Sequence, residues 1–238
     1  MKLHYLFICL ISAAMHAQSL SPSVNRDSLF KSLITRFNGS LQEEYNREYQ
    51  GTPPGKEQDF LLFVMSQPQG SKKAMQDNMA KKQPYFNQLL HLFSPMVPQE
   101  HSIGVFFNPA NALFNIPESI DILIYGPIPG TDLEMRNMAP NSADLSKTLK
   151  RLNWTPQDLE NVRVALQKAG CIGIQNGYAA TEVTYAANLR ERFSYIIFNQ
   201  EVSPATVKEY VTDCTAVAYN ERVVLQYRGA VGTECFPQ

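Results

Sequence analysis

Histidine, cysteine and tryptophan are scarce in this chain of 238 residues, which contains four, four and one of them. Past the first 17 residues only two histidines, His91 and His101, and three cysteines, Cys171, Cys214 and Cys235, remain. Their spacing includes neither HExxH nor CxxC, the patterns that mark common zinc sites. We therefore expect no metal site and no cofactor.

The short motifs of several large enzyme classes are missing as well. The sequence contains no GxGxxG, no GxxxxGK[ST] and no GxSxG. The first two surround a phosphate with backbone amides, and the third exposes a nucleophilic serine on a tight turn. The sequence therefore lacks the usual support for a nucleotide-binding protein or a serine hydrolase of that class.

Positive and negative charges are nearly balanced, since the chain has 21 Lys and Arg residues and 22 Asp and Glu residues. Lys2 is the only charged residue among the first 17, so the rest of the chain has 20 basic and 22 acidic residues, a net charge of −2. A protein that binds nucleic acid needs a basic face to neutralise phosphates. We expect no nucleic-acid partner.

The opening segment MKLHYLFICLISAAMHAQ has the pattern of an export signal. Lys2 precedes an apolar block at residues 6–15, which is too short for a membrane span of roughly 20 residues. Cleavage after Ala17 leaves residues 1–17 as the signal, and a cut after Ala14 fits the small-residue rule better. No later apolar run has membrane length, so we expect an exported protein without a transmembrane anchor, in the periplasm or the medium.

An oxidising compartment favours pairing of two of the three remaining cysteines. Cys214 and Cys235 flank the last predicted pair of strands, and we predict a disulfide between them. Closing a loop of about 20 residues stabilises the fold by roughly 3 kcal/mol in the chain-entropy model. Cys171 is then the free thiol.

Residues 18–98 are predicted to be helical. An apolar stripe at helical spacing begins after Asn25, a candidate N-cap, and Gly39 predicts a kink or an early stop. The run FLLFVM at 60–65 is interpreted as helix. In the following helical segment Pro84 is expected to produce a kink or to start a second helix.

Residues 99–238 are predicted to be an α+β region that forms one domain with 18–98 or stands apart from it. Strands are expected at SIGVFFN, NALFN, IDILIYG, CIGIQNG, TEVTYAA and FSYIIFN, and GPIPGTDLEMRNMAPNSAD is interpreted as a loop. Thr155, Pro156 and Gly170 mark the ends of a helix, and the last strands form a hairpin around YNER. Helices followed by strands predict an α+β fold with a mostly antiparallel sheet and two or three packed helices.

Three residues are candidates for catalysis. Asp121 interrupts an apolar strand, where a carboxylate must face water or have a partner. His101 lies just before a strand, and Cys171 begins one, where a buried apolar thiol is the commoner interpretation. The sequence does not suggest how these side chains would work together.

Other polar and aromatic residues are assigned structural roles. Asp59 is interpreted as solvated surface, and His91, within LLHLF, as a helical residue near the core. Trp154, Tyr178 and Tyr185 are candidates for a sugar-binding surface, although packing in the core is the favoured interpretation.

Two functional hypotheses follow. The first is a non-enzymatic binding or protective protein of the bacterial envelope, whose partner is a protein or another envelope component. The second is a periplasmic or secreted hydrolase that uses Asp121, His101 or Cys171. A pocket that joins two of these side chains within hydrogen-bond reach would favour the hydrolase.

Overall fold

A computed structural model describes residues 19–128, 132–188, 191–229 and 235–237. The predicted signal at 1–17 lies outside the described residues. The described chain forms two compact units. The first contains residues 19–67 and 109–117, and the second contains residues 68–108 and the chain from 118 onward.

The first unit is helical. Its helices are α1 (Arg26–Ile34), α2 (Gly39–Gly51) and α3 (Lys56–Ser66), with a 3-10 turn at Ala112–Phe114. Asn25 caps α1 as predicted, because its side chain accepts the N–H of Ser28 at 2.9 Å. The predicted stop also occurs: α1 ends at Ile34, and α2 begins at Gly39, whose φ of 56° suits glycine.

Aromatic side chains and one ion pair hold this unit together. The rings of Phe30 and Tyr49 stack with their centroids 3.9 Å apart. Asp59 is buried, and its carboxylate accepts two hydrogen bonds from Arg26, at 2.6 and 3.1 Å. The interpretation of Asp59 as solvated surface is therefore wrong, because α3 turns this residue toward α1.

The second unit is built on a sheet of eight strands, and every neighbouring pair is antiparallel. The order across the sheet is β3-β2-β1-β4-β5-β6-β8-β7. The strands are β1 (Ser102–Asn108), β2 (Ser119–Tyr125), β3 (Leu133–Met138), β4 (Gly173–Asn176), β5 (Ala180–Ala187), β6 (Glu191–Phe198), β7 (Ala216–Asn220) and β8 (Val223–Gly229). The predicted α+β class is confirmed.

The helices of this unit are α4 (Lys72–Phe93), α5 (Ala143–Leu152), α6 (Pro156–Ala169) and α7 (Pro204–Tyr210). Buried residues of α4, α5 and α6 share one apolar core with one face of the sheet. A hydrogen bond attaches α4 to β6, since the hydroxyl of Tyr195 donates to the carbonyl of Met75 at 2.9 Å. The same hydroxyl accepts from Asn78 at 3.1 Å.

The predicted ends of α6 are confirmed. Thr155 and Asp158 form a reciprocal capping box at its start, and Pro156 occupies the first helical position. Gly170 ends the helix with φ 67°, a left-handed conformation that favours glycine.

Two local predictions are wrong, and one of the two alternatives predicted at Pro84 does not occur. The segment NALFN forms the 3-10 turn rather than a strand. The expected loop contains β3, in which Leu133 and Met135 pack against the core while Glu134 is exposed. Helix α4 continues through Pro84 as a single helix of 22 residues, so no second helix begins at this proline.

The predicted disulfide between Cys214 and Cys235 is present. It holds the segment 235–237, whose Phe236 is buried beside Phe193 and Tyr227. The carbonyl of Pro237 accepts the N–H of Lys72 at the start of α4, at 2.8 Å. The disulfide thus connects the last hairpin to the helix that crosses the sheet.

Candidate functional site

Asp121 has a structural partner. It lies in β2 between Ile120 and Ile122, which face the core, so its own side chain points to the opposite face of the sheet. There its carboxylate accepts the N–H of Asn137 at 2.7 Å, next to an irregularity in the pairing of β2 with β3. This bond holds Asn137 at its positive φ of 55°.

His101 and Cys171 lie elsewhere in the same unit. The ring Nδ1 of His101 is 2.9 Å from the carbonyl oxygen of Gln99, in the turn before β1. Cys171 is buried in the main core just before β4, and burial raises the pKa of its thiol. A thiol that stays protonated is a poor nucleophile.

The structure does not bring these three candidates together. Among the described residues, the hydrogen bonds that involve Asp121, His101 and Cys171 go to other partners, and no bond joins one candidate to another. None of the three lines either of the two cavities that are described next.

Those two cavities adjoin along α4. Their volumes are about 460 and 510 Å³, and Asn87, Leu90 and Arg222 line both of them. We call them together the α4 groove. One wall consists of residues of α4 from Met79 onward together with Ser94, and the other consists of residues at or near the ends of β4, β5, β6, β7 and β8. Each volume is within the range of roughly 300–1,000 Å³ that is usual for ligand pockets.

The helix wall carries a polar stripe. Gln83, Asn87 and His91 follow one another at intervals of four residues, and Ser94 continues the row. Residues four apart lie on the same face of a helix, so this row runs along the groove. These four side chains form no hydrogen bond within the described chain, and all four are exposed. Their donors and acceptors are available to a ligand.

The opposite wall is fixed by internal hydrogen bonds. The amide of Asn176 accepts the N–H of Ile103 at 2.7 Å and donates to the carbonyl of His101 at 3.1 Å. Asn199 donates to the carbonyl of Tyr178 at 3.0 Å, and Arg222 donates to that of Phe198 at 3.3 Å. This wall is therefore held in place before any ligand arrives.

The groove has little net charge. Arg222 contributes one positive charge, and Glu201 and Glu221, which line the same cavity, contribute two negative ones. Across the described ranges, no group of three or more His, Cys, Asp or Glu side chains is placed to hold a metal ion. Besides these three charges, the groove offers hydrogen bonding by the polar stripe on α4.

No family model, curated protein or solved structure matches this chain. The described helices include none with the length and hydropathy needed to span a membrane.

The sequence did not predict the α4 groove. It placed His91 near the core because leucines surround it, yet the helix turns His91 outward while Leu89 and Phe93 are buried. The available signal was the spacing of Gln83, Asn87 and His91, which recur every four residues and so lie on one face of an amphipathic helix.

Of the three aromatic residues considered for a sugar-binding surface, two are in the core or against it. Trp154 is buried and donates from its indole to the carbonyl of Met96 at 2.9 Å, while Tyr185 packs edge-on against Tyr195. Tyr178 differs, since it is 89% exposed. Its backbone is next to the groove, because it follows Gly177 and its carbonyl accepts from Asn199, and both of those residues line the groove.

Proposed function

We propose that this chain is an exported, non-enzymatic binding protein and that the α4 groove is its binding site. The observation that carries the proposal is the row of unbonded polar side chains on α4, which faces a wall held in place by internal hydrogen bonds. Such a site is prepared to hold a partner in one orientation. The partner is a protein or another component of the bacterial envelope.

Two features support export to an oxidising compartment. The opening 17 residues have the composition of a cleaved signal, and two cysteines far from that segment are paired. Sequencing of the mature N-terminus from native cells tests this part. We expect the first residue to be Gln18, or Met15 after the alternative cut, and a chain that begins at Met1 would contradict export.

The binding proposal is tested with the mature, disulfide-bonded protein immobilised and exposed to an extract of the native envelope. Asn87→Trp fills the groove, and Gln88→Trp places the same bulk on the neighbouring exposed residue of α4, which does not line it. We expect Asn87→Trp to lose a stoichiometric ligand that wild type and Gln88→Trp retain. Equal retention by all three proteins would show that the groove is not the site.

The hydrolase hypothesis predicts a different result. If the chain turned over an envelope substrate, and Asp121→Asn or His101→Ala abolished that turnover, the binding proposal would be wrong. Both residues lie outside the groove, so this outcome is separate from the loss of binding in Asn87→Trp.

A further inference from the structure

The α4 groove has features that select one class of ligand. This inference rests on the proposed binding function and concerns what the groove binds. Nucleic acids and anionic lipids require a concentration of positive charge. The groove offers only Arg222, near Glu201 and Glu221, so its partner does not need to be strongly charged.

The polar stripe suits a ligand rich in hydroxyl groups. The amides of Gln83 and Asn87 each carry two donors and an acceptor, and a hydroxyl group is both a donor and an acceptor. One amide can therefore satisfy a hydroxyl in either direction, and His91 and Ser94 extend this capacity along the helix. From Gln83 to His91 the stripe covers roughly 12 Å at 1.5 Å per residue, which suits an oligomer better than a single ring.

An exposed aromatic residue next to the groove residues Gly177 and Asn199 adds a second, independent observation. Tyr178 is the most exposed large hydrophobic side chain among the described residues, at 89%. Its backbone is fixed, because its carbonyl accepts from Asn199. An amphipathic ring of this kind provides an apolar surface with a polar tip. The C–H faces of sugar rings are apolar and their edges carry hydroxyls, so they match both surfaces.

We infer that the α4 groove binds a neutral oligosaccharide, with Gln83, Asn87 and His91 bonded to its hydroxyls and Tyr178 in contact with a sugar ring. An extended peptide is the principal competitor for an amide-lined groove. Peptide sites combine main-chain hydrogen bonds with pockets for alternate side chains, and they do not need an exposed aromatic residue next to the groove. The sugar ligand accounts for both the amides and Tyr178.

The test is a titration of the mature, oxidised protein, labelled with ¹⁵N, with three soluble probes: chitotriose, cellotriose and maltotriose. We expect at least one of them to shift the side-chain amide signals of Asn87 and Gln83. Asn87→Ala and Tyr178→Ala should each weaken that binding roughly tenfold, since each removes one hydrogen bond or one aromatic contact.

Two matched controls lie on α4 outside the groove lining. Gln88→Ala removes an exposed amide and Tyr85→Ala removes a tyrosine that is 40% exposed, and both should bind as the wild type does. Asn87 and Tyr178 form no side-chain hydrogen bond within the described chain, so their variants are expected to fold. Unchanged spectra of Gln88→Ala and Tyr85→Ala outside the mutated turn confirm comparable folding of the controls.

The outcomes separate this inference from the proposed function. If none of the three probes shifts the groove signals while Asn87→Trp still loses a ligand from the envelope extract, the groove binds something else and the oligosaccharide inference is overturned. If an added peptide shifts the Asn87 signals and the sugars do not, the groove binds an extended peptide and the oligosaccharide inference is overturned. Sugar binding that Tyr178→Ala and Asn87→Ala leave intact would also overturn the inference.

Discussion

Asp59 and Asp121 show how differently two carboxylates can be placed. Asp121 was a candidate for catalysis because apolar residues flank it in the sequence. Its side chain, however, is on the face of the sheet opposite the core and accepts one backbone N–H. Asp59, in the polar segment KEQDF, has a side chain that is only 5% exposed. A carboxylate in such a position needs a compensating charge. Arg26 provides it.

We predict that Arg26→Ala destabilises the first unit by about 2 kcal/mol. The substitution leaves the carboxylate of Asp59 without its partner, and the cost is below the 3–5 kcal/mol of a fully buried pair because the side chain of Arg26 is 40% exposed. Urea unfolding measures the change, and Lys31→Ala, an exposed residue of the same helix, is the control. Equal unfolding midpoints for both variants would contradict the prediction.

A second prediction concerns Tyr49. Burial raises its pKa to about 12, and the hydrogen bond from its hydroxyl to Asp27 acts in the same direction. The folded state therefore keeps its proton at pH values where the unfolded chain, with a pKa of about 10, has lost it. The stabilisation is fully present below pH 10 and is lost as the pH rises toward 12.

Tyr49→Phe should remove this part of the pH dependence. Ultraviolet titration of tyrosinate should show one late-ionising group fewer in the variant. The free energy of unfolding, measured with urea between pH 9 and 12, should fall less steeply with pH in the variant than in the wild type. Tyr85→Phe changes an exposed tyrosine and serves as the control. A wild-type difference titration in which Tyr49 ionises near pH 10 would refute the assignment.

At the scale of elements, α4 does most to define the site. Its apolar residues Met75, Phe86 and Leu89 are buried, and Tyr195 bonds to its first turn. Its other residues supply the polar stripe. Periodicity predicted the helix but not its continuity, because Pro84 lacks an N–H and normally interrupts the helical bonding. Packing of the apolar face on both sides of Pro84 keeps α4 in one piece.

Replacement of Pro84 should therefore stabilise the protein. Pro84→Ala supplies the N–H that the carbonyl of Ala80 lacks, and part of the gain is offset because alanine leaves the unfolded chain freer. We expect the free energy of unfolding to rise by about 1 kcal/mol, measured by thermal unfolding. Gln88→Ala, at an exposed position of the same helix, controls for helix propensity. A lower midpoint for Pro84→Ala would mean that the proline suits the local backbone.

At the scale of the whole molecule, the disulfide at the C-terminal end links segments of the second unit that are far apart in sequence. Cys214 and Cys235 are 21 residues apart, and the bridge holds Phe236 in the core and Pro237 against Lys72. Closing such a loop contributes about 3 kcal/mol in the chain-entropy model. Burial of the aromatic side chain of Phe236 contributes further to the stability of this unit.

Reduction of the bridge should accordingly lower the thermal midpoint and expose the start of α4. We expect a reductant to destabilise the wild type and Cys171→Ala equally, by about 3 kcal/mol. A variant with both Cys214→Ala and Cys235→Ala should be insensitive to it. Amide exchange at Lys72 reports the loss of the bond to Pro237. If the reductant leaves the thermal midpoint of the wild type unchanged, the disulfide does not stabilise the fold and the prediction is wrong.

Local patterns determined which segments of this chain form regular structure. The capping residues Asn25 and Thr155, the stop at Gly170, the alternating strands and the two cysteines that flank the last hairpin led to correct predictions, because each depends on neighbouring backbone groups. The strand β3 was missed for the same reason, since its Glu and Asn residues have low strand propensity and its pairing with β2 is a tertiary effect.

The sequence by itself determined the α+β class, the helix ends and the pairing of Cys214 with Cys235. Only the tertiary structure decided which polar residues meet. The α4 groove combines residues from α4 with others more than 80 positions later, and the burial of Asp59 depends on a partner 33 residues away. Periodicity assigns a residue to a face of its own helix or strand. What that face meets depends on packing between distant segments, which no local pattern encodes.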